Sequence, residues 1–159
     1  MTSSECKRMM SLSYTILLPD KIRTEILSYC ICQHPYEACG FLLGVETDVG
    51  IFVDGFAPIA NASHDPLRHF SMDPAAMLPY IYPAPAEGNK GTVVGILHSH
   101  PMAAAVPSDE DMQTSWKQIP THWIVSLVRL DGPDIRAYRF VQTDEQTIHA
   151  LPVNWRTTL

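Results

Sequence analysis

The chain has 159 residues, of which 46% are hydrophobic and 18% charged, and its formal net charge is −6. That length suits one domain with a single sizeable core. The acidic balance, with lysines and arginines scattered singly, excludes the basic footprint of a nucleic-acid binder or a membrane-surface protein.

Residues 1–11 are polar and patternless and are expected to form a loose leader, with the domain occupying 12–159. No apolar run approaches the ~18 residues of a membrane span. Ile16 to Leu18 is too short for the core of a signal peptide, so the expected location is the cytoplasm. The four cysteines, Cys6, Cys30, Cys32 and Cys39, sit in the first quarter of the chain. They are expected to be reduced, and Cys30-Ile31-Cys32 lacks the two-residue spacer of a zinc or redox pair.

SYTILL (13–18) predicts a short strand. Residues 19–33 predict a helix, with Pro19 near its start and Ile22, Ile26, Leu27 and Cys30 on one face. His34-Pro35 ends it, because proline disfavours helix in the residue before it. Strands follow at 37–46 and 50–61, then a short one around Phe70. Asp73-Pro74 has the form of a helix cap followed by a first-turn proline. That helix should be brief, since Pro79, Pro83 and Pro85 crowd the next segment and predict an irregular surface loop over 79–91.

TVVGILHSH (92–100) predicts a central strand, apolar and rich in β-branched residues. A helix is expected from Ser108 to about Lys117, strands at 122–130 and 134–141, and a last short strand at 147–151. Trp123, Ile124 and Val125 read as sheet core. The order of elements predicts an α/β fold of one domain, with a mixed, mostly antiparallel sheet flanked by helices.

The chemistry concentrates in HSHPMAAAVPSDED (98–111). Alternation along a strand puts His98 and His100 on one face, about 7 Å apart, where both can reach one ion. Ser108 and Asp111 have the spacing of a capping box and so admit a purely structural reading. Taken with the histidines, Asp111 also supplies a carboxylate. Three N/O ligands leave one position of a tetrahedral zinc open, which is the catalytic pattern. A hydrolase of that kind needs a general base, for which Glu37, at the mouth of an apolar strand, is the candidate. Cys39 should share the face of Glu37. His64, His69 and His122 are expected at the surface or as supports around the site.

These residues resemble the signature of the JAMM (MPN-plus) metalloproteases: a glutamate on an early strand (Glu37, before ACGFLLG), then His98-Ser99-His100-Pro101, then Ser108 and Asp111. The resemblance extends over about residues 13–150. The pieces PIANASHDPLRHFSMDPAAM and WIVSLV are similar to the small stand-alone bacterial branch, which is linked to ubiquitin-like sulfur carrier proteins. It implies a cytidine-deaminase-like fold and one zinc per chain held by His98, His100 and Asp111. It further implies Glu37 as general base and then acid, and Ser108 as a hydrogen-bond donor to the oxyanion. The implied partner is a ubiquitin-like sulfur carrier cut at its C-terminal glycine-rich tail. Trp116 to His122 leaves almost no room for the second insertion of the eukaryotic deubiquitinases, while 79–91 falls where their first insertion lies. The alternative is a non-catalytic MPN scaffold that binds protein partners; such domains usually lack a ligand or the glutamate.

Overall fold

The computed structural model describes residues 14–82 and 91–159. The expected leader, Cys6 and the stretch 83–90 of the proline-rich segment lie outside the described residues.

Among the described residues, eight strands form one sheet: β1 (Thr15–Pro19), β2 (Cys39–Thr47), β3 (Gly50–Ile59), β4 (Thr92–His100), β5 (Thr121–Ser126), β6 (Asp134–Gln142), β7 (Ile148–Val153) and β8 (Trp155–Thr158). Their spatial order is β7-β6-β5-β4-β2-β3-β1-β8. β1 runs parallel to β3 and β8, and β4 parallel to β5. The other four pairings are antiparallel. β7 and β8 stand at opposite ends of this order yet are joined by Asn154 alone, so the sheet curls until its edges approach. The seam is stitched by the Asn154 carbonyl, which accepts from the Ile16 N–H at 3.2 Å, and by Trp155 Nε1, which donates to the Ile135 carbonyl of β6 at 3.3 Å.

The first helix, α1 (Asp20–Gln33), gives Ile22, Ile26 and Cys30 to the larger core. The four-residue spacing stacks them on one face, as the sequence pattern predicts. They meet Ile16, Leu18, Leu42, Leu97, Trp123 and Val125 from the strands. Trp123 is fully buried and its Nε1 donates to Thr121 Oγ1 at 2.9 Å, so this large ring leaves no polar group unpaired. The opposite face of the sheet carries Phe41, Ile59, Met72 and Ile96, covered by Met77 and Tyr80 of the second helix, α2 (Pro74–Ile81), and by Trp116.

Several boundaries differ from those the sequence predicts. α2 contains Pro79, so residues 79–81 belong to a helix and not to the loop expected from residue 79. The third helix, α3, covers only Asp109–Met112 and not the stretch to Lys117. Thr114 Oγ1 accepts from the Trp116 N–H at 3.1 Å, a local side-chain bond that competes with helix continuation. The region of Phe70 forms no strand, only an isolated bridge from Asn61 to Met72. β5 stops at Ser126, four residues short of Leu130, because Ser126 Oγ turns to the Ala103 carbonyl and the backbone leaves the ladder. β8 is an additional strand: four residues, mostly polar, whose partner β1 lies at the other end of the sequence.

Candidate metal centre

β4 is the axis of the site. Ile96, His98 and His100 lie on one face, while Leu97 of the opposite face enters the larger core. Both imidazoles are buried, and their Nε2 atoms stand 3.0 Å apart. Asp111 Oδ2 lies 3.3 Å from His98 Nε2 and 3.2 Å from His100 Nε2. A tetrahedral zinc with bonds of ~2.0–2.1 Å has ligand–ligand edges of about 3.3–3.4 Å. The three atoms are therefore spaced as three corners around one small cation, and the group could hold such an ion.

Each of these three side chains is oriented by a second contact. His100 Nδ1 bonds the Ala104 carbonyl at 2.8 Å, which commits that nitrogen to donate and leaves Nε2 for a metal. Phe70 stacks on His98 with ring centroids 4.5 Å apart. Asp111 Oδ2 accepts from the Ser108 N–H at 2.9 Å, and Ser108 Oγ accepts from the Asp111 N–H at 3.1 Å. The capping box is thus complete, and it holds the carboxylate that faces the histidines. Between strand and helix the apolar run 102–106 is pinned by its carbonyls. Ala103 O accepts from Ser126 Oγ at 2.7 Å, Ala104 O from His100, and Ala105 O from the Tyr138 hydroxyl at 2.5 Å.

Glu37 reaches this site through strand register. Cys39 of β2 faces His98 of β4 in an antiparallel pairing, so the same register continued brings Ala38 beside Ser99 and Glu37 beside His100. Two bonds extend the pairing past the strand end: Ser99 N–H to Ala38 O at 2.9 Å, and Ala38 N–H to Ser99 Oγ at 2.8 Å. Ser99, which points away from the ligands, thereby anchors the residue next to Glu37. Glu37, His100, Ser108 and Asp111 all line one cleft of about 650 Å³, walled by Leu67 to Met72 on one side and Met102 and Trp116 on the other.

Burial pushes the Glu37 carboxyl up to about 7, with the Asp111 charge adding to the rise and His100 opposing it. Burial also acts to raise Asp111, but the bonds from His100, His98 and Ser108 outweigh it and hold the group well below the usual carboxylate range. Burial drives His98 down, with the Asp111 carboxylate opposing the shift. Cys39 shares the face of Glu37, as its position on the strand implies. Its thiol donates to the Ile59 carbonyl at 3.4 Å, and burial, then Glu37, pushes it up to about 12. It is a packed thiol and not a thiolate.

The raised Glu37 carboxyl has a consequence for the metal-free protein. An acid whose folded value exceeds its unfolded one binds extra protons in the fold, so stability is lost as pH rises from about 4.5 to about 7. Glu37→Gln removes that loss. Urea denaturation of chelated protein should find the variant equal to wild type near pH 4.5 and more stable by roughly 1–3 kcal/mol at pH 8. An unchanged difference across that range would contradict the burial of this carboxyl.

The remaining histidines divide. His69 lines the cleft and its Nδ1 lies 2.7 Å from Glu110 Oε2, linking the two walls. His122 is not at the surface: it is 5% exposed, stacked on Phe140 at 4.0 Å and lowered by burial to about 4. Phe70, Ser99, Ser126 and Tyr138 escape the sequence reading, because each acts through a ring face or a backbone group that no spacing announces.

A curled mixed sheet with a His-x-His strand end, a capped-helix aspartate and a buried glutamate beside them defines a JAB-type domain with a candidate metal centre. The chain belongs to the Prok-JAB family, the prokaryotic homologues of the JAB domain, whose model matches residues 19–141. It is 33% identical over 111 residues to a desampylase of Pyrococcus furiosus, an alignment covering 70% of this chain and 73% of that one. It is 24% identical over 136 residues to a probable TtuB-protein conjugate cleaving protease of Thermus thermophilus, covering 86% and 83%. The solution structure of protein DSY2949 from Desulfitobacterium hafniense superposes with a TM-score of 0.70 at 27% identity, covering 91% of this chain and 94% of that one.

Proposed function

We propose that this protein is a zinc metallopeptidase that hydrolyses the peptide or isopeptide bond after the glycine-rich C-terminal tail of a ubiquitin-like protein of the sulfur-carrier kind. The observation that carries the reading is the meeting of two imidazole nitrogens and one carboxylate oxygen at tetrahedral spacing, with His100 and Asp111 lining the cleft that also holds Glu37. The names of the relatives, a desampylase and a conjugate-cleaving protease, supply the substrate class. The same reading has the protein working in the cytoplasm; no described helix is long and apolar enough to cross a membrane.

His98, His100 and Asp111 would hold one zinc ion. Bound there, zinc supplies Lewis-acid polarisation of the scissile carbonyl and acidifies the attacking water. Glu37 accepts that water's proton and returns it to the leaving amine. Ser108 keeps its hydroxyl proton free, because Oγ is an acceptor in the capping box, and donates it to the developing oxyanion. The tail lies extended in the cleft, where glycines allow close approach of its backbone.

The test uses a ubiquitin-like protein fused through its Gly-Gly terminus to a reporter. Mass spectrometry should find release after the second glycine, suppression by a zinc chelator, and recovery on adding zinc. A fully zinc-loaded protein that cuts no such fusion would favour the scaffold alternative.

Ser108 separates cap from chemistry. Asp caps a helix as well as Ser does, so Ser108→Asp should melt near the wild-type temperature. It should nonetheless be nearly inactive, because it presents negative charge to developing negative charge. Ser108→Thr should keep part of the activity. Wild-type cleavage by Ser108→Asp would reduce the residue to a helix cap.

A further inference from the structure

Asn61, just beyond β3, has no part in the chemistry above. Its side chain nevertheless makes all four hydrogen bonds an amide can make. Nδ2 donates to the Glu37 carbonyl at 2.9 Å and to the His69 carbonyl at 3.0 Å. Oδ1 accepts from the N–H groups of Ser63 and Ser71, both at 3.0 Å. The amide can sit only one way round, since both partners of Nδ2 are carbonyls and both partners of Oδ1 are N–H donors.

Glu37 needs such a partner. β2 begins at Cys39, so the Glu37 peptide lies outside the regular ladder. Its N–H goes to the Pro66 carbonyl at 2.7 Å, and its carbonyl goes to Asn61. Both ends of the residue are therefore held by the loop 61–71, and Asn61 ties that loop to itself. The same loop carries Phe70, which stacks on His98.

We propose that Asn61 is a positioning residue for the Glu37 carboxylate: its amide fixes the Glu37 peptide plane, and with it the direction of the side chain, relative to the histidine strand. The proposal rests on the general-base role given to Glu37 above. Asparagine is the residue that fits. Aspartate would keep the two bonds accepted from Ser63 and Ser71 but would turn an oxygen toward two carbonyls. Serine has a single donor for two acceptors, and glutamine is a methylene too long.

The test is a double-mutant cycle of Asn61→Asp with Glu37→Gln, on zinc-loaded protein and the same Gly-Gly reporter fusion. Asn61→Asp should keep one zinc per chain and lower kcat on the order of 10²-fold, with KM little changed, as misplacement of a catalytic group does. In the Glu37→Gln background the same substitution should change the residual kcat by less than about threefold, because groups acting as one unit are non-additive. A residue that merely supports the fold would lower kcat by the same factor in both backgrounds, and that additivity would overturn the proposal. Metal-free wild-type protein gives a second readout by NMR. The Asn61 side-chain amide protons should be protected from solvent exchange, and exchange at the rate of a free amide would also overturn it. A fully active Glu37→Gln enzyme would remove the Glu37 role and this proposal together. An inactive Glu37→Gln enzyme with an additive cycle would remove the Asn61 proposal alone.

Discussion

Glu37→Gln should leave one zinc bound per chain and lower turnover of the Gly-Gly fusion by roughly 10²–10⁴-fold, the usual worth of a positioned acid–base group. The substitution keeps the shape of the side chain and its backbone bonds to Pro66 and Asn61. It removes only the capacity to take a proton. None of the three ligand atoms belongs to Glu37, so elemental analysis should read the same as for wild type. An active, zinc-loaded Glu37→Gln enzyme would mean that another group takes the proton.

His100→Ala should have the opposite signature: zinc lost, and activity lost with it. His100 Nε2 sits 3.0 Å from His98 Nε2 and 3.2 Å from Asp111 Oδ2, and removing it leaves two ligands where three converge. The substitution also frees the Ala104 carbonyl, one of the three that pin the 102–106 run, so Asp111 loses part of the support that holds it in place. After dialysis, metal content should fall from about one per chain to near zero. A variant that kept its full zinc would show that the ion is held elsewhere.

The meeting of His98, His100 and Asp111 is legible in the sequence because its geometry is local. Alternation on one strand aligns His98 with His100, and one capped turn brings Asp111 back within reach. Glu37 is different: it lies far from the histidines in sequence, and only the β2–β4 register, continued past the strand end, brings it beside His100. A single sequence names it through its polarity at the head of an apolar strand, and the structure supplies the juxtaposition. Ser99 and Asn61 are less visible still. Each is an ordinary polar residue whose partner is a backbone atom far along the chain, so no periodicity marks it. The missed strand β8 has the same cause. Its four residues have no pattern of their own, and the pairing with β1 defines them. The overestimated helix after Ser108 shows the converse: a strong start signal says little about where a helix stops when Thr114 can bond its own neighbourhood.

The pairing of β1 with β8 also sets a clock. Ile16 lies beside Trp155, so these partners emerge from the ribosome about 140 residues apart. At 5–20 residues per second that is a wait of roughly 7–28 s. Until β8 arrives, β1 has β3 on one side and an open edge on the other, and open edges are templates for association between chains. Such distant contacts also slow folding after synthesis is complete. The growing chain is therefore vulnerable to aggregation until β8 appears, and a variant of Trp155 would weaken the closure of that edge without touching any residue of the cleft.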